Sequence, residues 1–298
     1  MTKKVSVVVL NYKGLPETLE CLESLRRCEE DGNDVEIVVV ENGSEDGSVE
    51  ALSKIKDIHL VVNENNLGFS GGMNIGIKYA LRRGSDYVII LNNDTIVEKE
   101  LIVNLAKEAS KADIVSPKIY FAPGFEFHKA RYKKSDLGKV IWYAGGRIDW
   151  QNILGRHIGV DEVDRGQFDN NRQIDFATGA CMLIRKETFA KIGFLDEKYF
   201  LYLEDMDFCV RARKKGLKIT FAPRAILWHK NAISSGGSGS KLQDYYFTRN
   251  RLLFAAKYAT LRTKLAVLKQ SILWSSDKIK RKAFFDFLVL NFGGKKIS

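Results

Sequence analysis

Hydrophobic residues follow two alternating spacings through the first 115 positions. Short, mostly β-branched runs at Val5–Leu10, Val35–Val40, Ile58–Val62 and Tyr87–Leu91 have the length of buried strands. Between them, apolar residues recur every three or four positions. One set is Leu15, Leu19, Leu22 and Leu25, and the next is Val49, Leu52 and Ile55. Phe69, Met73, Ile77 and Leu81 predict a helix from about Ser70 to Arg83, and Leu101, Ile102, Leu105 and Ala109 another before a run at Ile114–Ser116. Such spacing gathers the apolar groups on one helical face. Pro16 suits the first turn of its helix, where a missing N–H costs nothing. Strands alternating with helices predict a mainly parallel sheet covered on both faces.

The pattern loosens over residues 117–173, which read as loops and a hairpin covering a crevice. Ala177–Arg185 predicts a further strand, with a short helix from Lys186. Leu203, Met206 and Val210 mark a helix starting near Glu204, and Lys218–Ala222 and Ala225–His229 read as extended. The stretch SSGGSGS, Ser234 to Ser240, has almost no side-chain means of staying ordered and is expected to be a mobile lid. From Lys241 the pattern is helical nearly to the end. The expected division is a catalytic domain over 1–240 and a basic amphipathic helical region over 241–298.

Composition adds two constraints. The chain of 298 residues suits one large domain with an appendage, and no apolar run approaches the roughly 18 residues of a membrane span. The first apolar run leads straight into Asn11 and Tyr12 and reads as a strand rather than a signal peptide. Cys21, Cys28, Cys181 and Cys209 form no CxxC pair, which suits reduced thiols in a cytoplasmic protein. The net charge of +10 is confined to residues 241–298, which hold 13 Lys/Arg and 3 Asp/Glu. Residues 1–240 hold 34 of each (47 − 13 and 37 − 3) and are neutral. A neutral body with a basic tail points to an anionic surface as partner.

Ligands on such sheets bind beyond the C-terminal ends of the strands. The loops Asn11–Gly14, Glu41–Ser48, Asn63–Gly72 and Asn92–Thr95 are therefore expected along one edge. In YVIILNNDTIV a buried run ends on Asn92, Asn93 and Asp94, which by itself fits a turn as well as a site. NENNLGFSGGMNIG lacks both GxGxxG and the GK[ST] ending, so its glycines serve either an anion at a helix start or close helix–sheet packing. Glu41 at a strand end can accept hydrogen bonds from ribose or base. Glu204, Asp205 and Asp207 follow the aromatic run FLYL, and acid residues at a helix start are favourable in any case. His229 closes AILWHK just before the Gly/Ser stretch, either as a structural residue or as a ligand.

In order and spacing, VSVVVLNYKG, VVVENGSEDGS, NENNLGFSGGMNIGI, YVIILNNDT, ATGACMLIRKE and GFLDEKYFLYLEDMDFCVRARKKG resemble the family 2 glycosyltransferases of GT-A fold, especially the bacterial rhamnosyltransferase-like branch. The resemblance covers about residues 3–230. It implies an α/β, Rossmann-like GT-A domain with a C-terminal helical appendage. It also implies an inverting, metal-dependent transferase using Mg²⁺ or Mn²⁺ in cell-surface polysaccharide synthesis. The donor would be a dTDP- or UDP-linked sugar, rhamnose being one candidate, and the acceptor a glycan or polyprenyl-diphosphate-linked glycan. On this resemblance Asn11, Tyr12, Glu41 and Asn42 would line the nucleoside pocket. Asn65, Gly68, Phe69 and Asn74 would approach the base, ribose or sugar. Asn92, Asn93 and Asp94 stand in the place of a DxD motif, with Asp94 and His229 at the metal. Thr178 and Gly179 would line the acceptor side, Asp205 would be the general base and Glu204 its orienting neighbour.

The tail, YYFTRNRLLFAAKYA through DKIKRKAFFDFLVLNF, mixes aromatics with bases and suits the cytoplasmic face of an anionic membrane. Packing on the body or on a second copy as a homodimer is the competing reading. A nucleic-acid partner is disfavoured by the balanced body. The rival class is a non-catalytic nucleotide-sugar or membrane-binding protein with a decayed site.

Overall fold

A computed structural model describes residues 2–231 and 240–295 of the chain. Most of the Gly/Ser stretch, Ser234 to Gly239, lies outside the described residues, and with it the expected lid. The strands are β1 (Lys4–Asn11), β2 (Asp34–Asn42), β3 (His59–Asn63), β4 (Tyr87–Asn92), β5 (Thr95–Val97), β6 (Ile114–Phe121), β7 (Ile141–Tyr143), β8 (Gly146–Asp149), β9 (Leu154–His157), β10 (Arg172–Gln173), β11 (Cys181–Arg185) and β12 (Ile219–His229). The helices are α1 (Leu15–Leu25), α2 (Ser48–Leu52), α3 (Gly68–Arg82), α4 (Leu101–Ala109), α5 (Lys186–Ile192), α6 (Glu204–Lys214), α7 (Lys241–Tyr258), α8 (Leu261–Leu273) and α9 (Lys278–Leu288).

The main sheet runs β10-β12-β6-β11-β4-β1-β2-β3. Strands β3, β2, β1 and β4 are parallel, as are β6 and β12, while β11 runs antiparallel between β4 and β6. The four parallel strands stop on Asn63, Asn42, Asn11 and Asn92, so their ends place four asparagines along one edge. The expected common edge is therefore present, and it is built from short amides that close turns without needing space. β8 and β9 form the anticipated hairpin within 117–173.

Two boundaries differ from the sequence reading. β6 runs on through Pro117, which sits opposite Ala222 where the register of β12 shifts. Pro223 lies inside that bulge, so the two expected extended segments are one irregular strand. Proline is tolerated at a bulge because a ladder bond is already missing there. In the other case β11 begins only at Cys181, and Ala177–Ala180 turns to meet α6.

α7 supplies Leu252, Leu253, Phe254 and Ala255 to the same core as the sheet. A smaller cluster of Tyr245, Tyr246 and Ala283 packs α7 and α9 against Phe200, Leu201 and Tyr202. Residues 241–295 are thus joined to the sheet-bearing body through α7, whereas Leu261, Leu265, Leu273, Phe285, Val289 and Leu290 on and after α8 and α9 are exposed. Among the described residues no helix is long and apolar enough to cross a membrane.

Candidate active site

At the end of β1, Asn11 is fully buried. Its Oδ1 accepts from the Thr18 hydroxyl at 2.8 Å, while its Nδ2 has no partner. An unpaired buried donor beside a crevice is costly unless a ligand fills it. Glu41, 1% exposed, accepts from the backbone N–H groups of Gly43 and Ser44 at 3.1 and 3.0 Å. It folds its own loop and keeps acceptor capacity on each oxygen. Tyr12 is half-buried, with the Lys13 ammonium 5.5 Å from its ring centre. Asn65 is exposed, and Gly43, at φ +74°, lets its backbone pass so close that a Cβ would lie 2.7 Å from Asn65.

Three expected ligands are redirected by their bonding. The Asn42 amide donates to Asn66 Oδ1 and Gly68 O, and its Oδ1 accepts from Asn63 and Leu67. The Asn74 amide donates to Leu195 O and Glu197 at 2.9 Å each, and its Oδ1 accepts from Leu195 N at 3.0 Å. The Asn93 amide donates to Gly14 O and Thr18 Oγ1. With both amide hydrogens spent inside the protein, these three shape the loops instead of donating to a nucleotide sugar. The glycines of α3 are also resolved. A Cβ at Gly72 would meet Leu10 at 2.5 Å and one at Gly76 would meet Val8 at 2.3 Å, so both serve close packing of α3 on β1 and β2.

Asp94 sits in the turn between β4 and β5, and Thr95 pairs with His229 of β12. This register brings His229 Nε2 within 3.0 Å of Asp94 Oδ1, and both residues are 4% exposed. His229 Nδ1 has no partner, and the Trp142 ring stands edge-on 4.5 Å away. Trp142 stands equally close to His157, which burial holds neutral, with its pKa lowered to about 4. Among the described residues no group of three or more His, Cys, Asp or Glu side chains gathers as a cage. One carboxylate and one imidazole nevertheless fit an ion whose other ligands come from phosphates and water. Asn92 is half-buried at the end of β4, its backbone oxygen accepting from the Thr95 hydroxyl.

Across the crevice, Asp205 Oδ2 accepts from Gly179 N at 2.9 Å and Oδ1 from Met206 N at 2.7 Å. Glu204 is 5% exposed, and its Oε2 has no partner. Burial, together with the neighbouring Asp205 charge, pushes Glu204 well above the carboxylate range. Asp205 is also raised by burial, an effect offset in part by its backbone N–H contacts. Asp205 thus has backbone N–H groups that favour its charged form, whereas Glu204 Oε2 has none. A Cβ on Gly179 would lie 3.2 Å from the half-buried Phe69 ring and 3.6 Å from Glu204 Oε1, so these groups meet tightly at this glycine. Thr178 Oγ1 accepts from Ala180 N at 3.3 Å and closes the turn. Asp207 is different. It is fully buried and bound to Arg211, Tyr199, Tyr258 and Lys257, which makes it the tie between α6 and α7.

The family model for Glycosyl transferase family 2 matches residues 6–193, which include the donor edge, the Asn92–Asp94 turn and the Thr178–Gly179 turn. The chain belongs to glycosyl transferase family 2. It is 29% identical to the low-salt glycan biosynthesis hexosyltransferase Agl10 of Haloferax volcanii, over 85% of this chain and 76% of that one. It is 26% identical to the N-acetylglucosaminyl-diphospho-decaprenol L-rhamnosyltransferase of Mycobacterium tuberculosis, over 95% and 97%. Among solved structures it resembles GalNAc-T7 with UDP, GalNAc and Mn²⁺, with a TM-score of 0.61 and 15% identity, over 90% of this chain and 55% of that one. The mannosyltransferase PcManGT of Pyrobaculum calidifontis with GDP-Man and Mn²⁺ superposes with a TM-score of 0.54 and 14% identity, over 98% and 87%. The fold is thus the GT-A fold expected of family 2.

Sequence reasoning missed Asn63 and Asn66, which complete the Asn42 network, and Arg249 and Asn250 of α7. The last two are a fully buried polar pair within YYFTRNRLLF, and polar residues inside so apolar a helical run were the available signal.

Proposed function

We propose that this family 2 protein is an inverting glycosyltransferase. It would move a sugar, rhamnose being the leading candidate, from a dTDP- or UDP-linked donor to a hydroxyl of a glycan or polyprenyl-diphosphate-linked acceptor. The observation that carries the reading is the convergence of Asp205, Glu204, Gly179 and Phe69 at one point of the crevice. The sequence kinship to a rhamnosyltransferase acting on a lipid-linked sugar supports the donor and acceptor classes.

Asn11, Tyr12, Glu41 and Asn65 are the residues offered to the nucleoside, with Gly68 and Phe69 toward the sugar. Asp94 and His229 would hold Mg²⁺ or Mn²⁺ together with the donor, beside the Asn92 amide. When bound, the ion neutralises charge on the departing diphosphate. Asp205 takes the proton of the acceptor hydroxyl, whose oxygen bonds to the anomeric carbon from the face opposite the diphosphate. As that bond forms, the bond from the anomeric carbon to the phosphate oxygen breaks, and the nucleoside diphosphate leaves with the electron pair. Attack from the opposite face inverts the anomeric centre. Burial disfavours the charged form of Glu204, which suits an orienting neighbour better than the base.

The exposed leucines and phenylalanine of α8 and α9, beside exposed Arg262, Lys269, Lys278 and Lys282, support contact with the anionic cytoplasmic face of a membrane. The test of function is release of nucleoside diphosphate from a panel of dTDP- and UDP-sugars with Mg²⁺ or Mn²⁺, with and without a polyprenyl-diphosphate-linked acceptor. Acceptor-stimulated release with one donor is expected. Tight donor binding with no turnover in any combination would favour the non-catalytic reading.

A further inference from the structure

The catalytic pair is approached through a strained segment. Phe200, Tyr202 and Leu203 have φ of 61°, 70° and 69°, a left-handed region that non-glycine residues rarely occupy. Leu203 is the residue from which α6 starts, and Glu204 and Asp205 follow at once. Strain of this kind persists only where the surroundings enforce it.

The enforcing groups come from α7. Asn250 is fully buried, and its amide donates to Tyr199 O, Leu201 O and Tyr202 O at 2.9, 2.7 and 2.8 Å. Two N–H groups serve three carbonyls that only a tightly curled segment could present together. Arg249, also fully buried, fixes that amide by donating from Nε to Asn250 Oδ1 at 3.0 Å. Its Nη2 donates to Lys198 O and Tyr199 O at 3.0 and 2.8 Å, and its Nη1 to Gly293 O at 2.9 Å. These guanidinium bonds all end on uncharged oxygens. A buried guanidinium spent in this way is expensive, and core packing alone would be served better by an apolar side chain.

The same curl reaches the donor side. Phe200 O accepts from Ser70 N in the first turn of α3 at 3.3 Å, and a Cβ on Gly68 would lie 2.4 Å from the Phe200 ring. On its other side the Phe200 ring stacks on Tyr246 of α7, with centroids 5.2 Å apart. The segment is therefore clamped between the donor loop and α7, and its last residue launches the catalytic helix.

We propose that Arg249 and Asn250 are positioning residues, a buckle on α7 that holds residues 198–203 in their left-handed curl and so aims Asp205 at the acceptor. The inference rests on the assignment of Asp205 as base. It makes the C-terminal region part of the catalytic unit through contacts that never touch substrate.

The experiment uses the full chain with Asn250→Ala, Arg249→Lys and the control Asp205→Asn. Three quantities are read: the thermal midpoint, nucleoside diphosphate release from whichever of dTDP-rhamnose and UDP-N-acetylglucosamine the parent turns over, and the NMR titration of the Asp205 carboxyl. The titration needs no substrate. With the curl relaxed, the Gly179 N–H contact loosens and the Asp205 titration should move to higher pH. Well below its melting point, Asn250→Ala should lose at least tenfold in kcat, while the donor KM stays within about threefold. Arg249→Lys should lie between it and the parent. A folded Asn250→Ala with parental kcat and unshifted Asp205 titration overturns the buckle. If Asn250→Ala does not fold, Arg249→Lys decides by the same two readings. Should Asp205→Asn keep parental turnover, the base assignment falls and takes the buckle's catalytic role with it. Loss in Asp205→Asn with none in the two α7 variants removes the buckle alone.

Discussion

Replacing Asp205 by Asn tests the centre of the mechanism, because it keeps the size of the side chain and removes its basicity. The amide oxygen can still accept from Gly179 N, the contact now 2.9 Å long. The amide nitrogen would then face Met206 N, a donor against a donor, at a local cost of about 1 kcal/mol. That predicts a small fall in Tm and an intact fold. Transfer should fall by about 10²–10⁴-fold, the usual worth of a positioned base, which is about 2.7–5.4 kcal/mol of barrier at 1.36 kcal/mol per decade. Nucleoside diphosphate affinity, set by groups at the ends of β1, β2 and β4, should stay within about threefold. Glu204→Gln is the matched control. Burial favours the protonated form of Glu204, and glutamine copies that neutral form, so the loss at neutral pH should stay below about tenfold. The assay is single-turnover transfer with saturating donor, read beside nucleoside diphosphate titration. If Glu204→Gln abolishes transfer while Asp205→Asn retains it, the two roles are exchanged. If both retain it, the base lies elsewhere.

Other outcomes follow from the same coordinates. The folded pKa of Glu204 lies well above its ordinary 4.5, so the folded chain holds a proton that the unfolded chain releases, and the stability it lends below that value is lost as pH rises toward the folded pKa. Glu204→Gln should therefore match the parent's Tm near pH 4 and exceed it at pH 8, and an equal difference at both would refute the burial argument. Asp94→Ala should abolish the Mn²⁺-dependent part of nucleoside diphosphate binding by calorimetry without unfolding the chain, and undiminished Mn²⁺-dependent affinity would remove Asp94 from the metal. Exchanging exposed Arg262, Lys269 and Lys278 for Gln should weaken binding to phosphatidylserine vesicles by about 10²-fold at low salt, at about 1 kcal/mol per charge, and unchanged binding would leave the α8–α9 surface to another partner.

The edge where the parallel strands end was legible because four of them are continuous apolar runs that stop abruptly on polar residues. What could not be read was which amides were already spent. Asn11, Asn42, Asn74 and Asn93 look alike in a sequence. The first keeps an unpaired Nδ2, while the other three have both amide hydrogens bonded to the protein. The partners that spend them lie 24 to 123 residues away, a separation that no local pattern reports. Pro117 and Pro223 misled for a related reason. Each reads as a strand breaker, and it takes the facing strand to show that the two proline-bearing segments meet at one bulge.

The basic tail was the largest single signal in the composition, and it divides in the fold. On α7 three of the bases, Arg249, Arg251 and Lys257, bond to the protein itself. Arg249 is buried, Arg251 donates to Asn152 O and Gln270, and Lys257 pairs with Asp196 and Asp207. Those three charges are spent on contacts within the protein, one of them with Asp207 of α6. On α8 and α9 the bases stay outside, interleaved with exposed Leu261, Leu265, Leu273 and Phe285. Deleting residues 241–298 would thus remove Leu252–Ala255 from the core along with the surface charge, and it cannot serve as a membrane-binding test. Substitutions confined to α8 and α9 can, because they leave the α7 contacts with Tyr199, Leu201 and Asp207 in place. One stretch of sequence with one composition therefore carries two separable physical roles. The inward side chains of α7 contact the segment before Asp205, and the exposed bases of α8 and α9 are the ones the vesicle experiment tests.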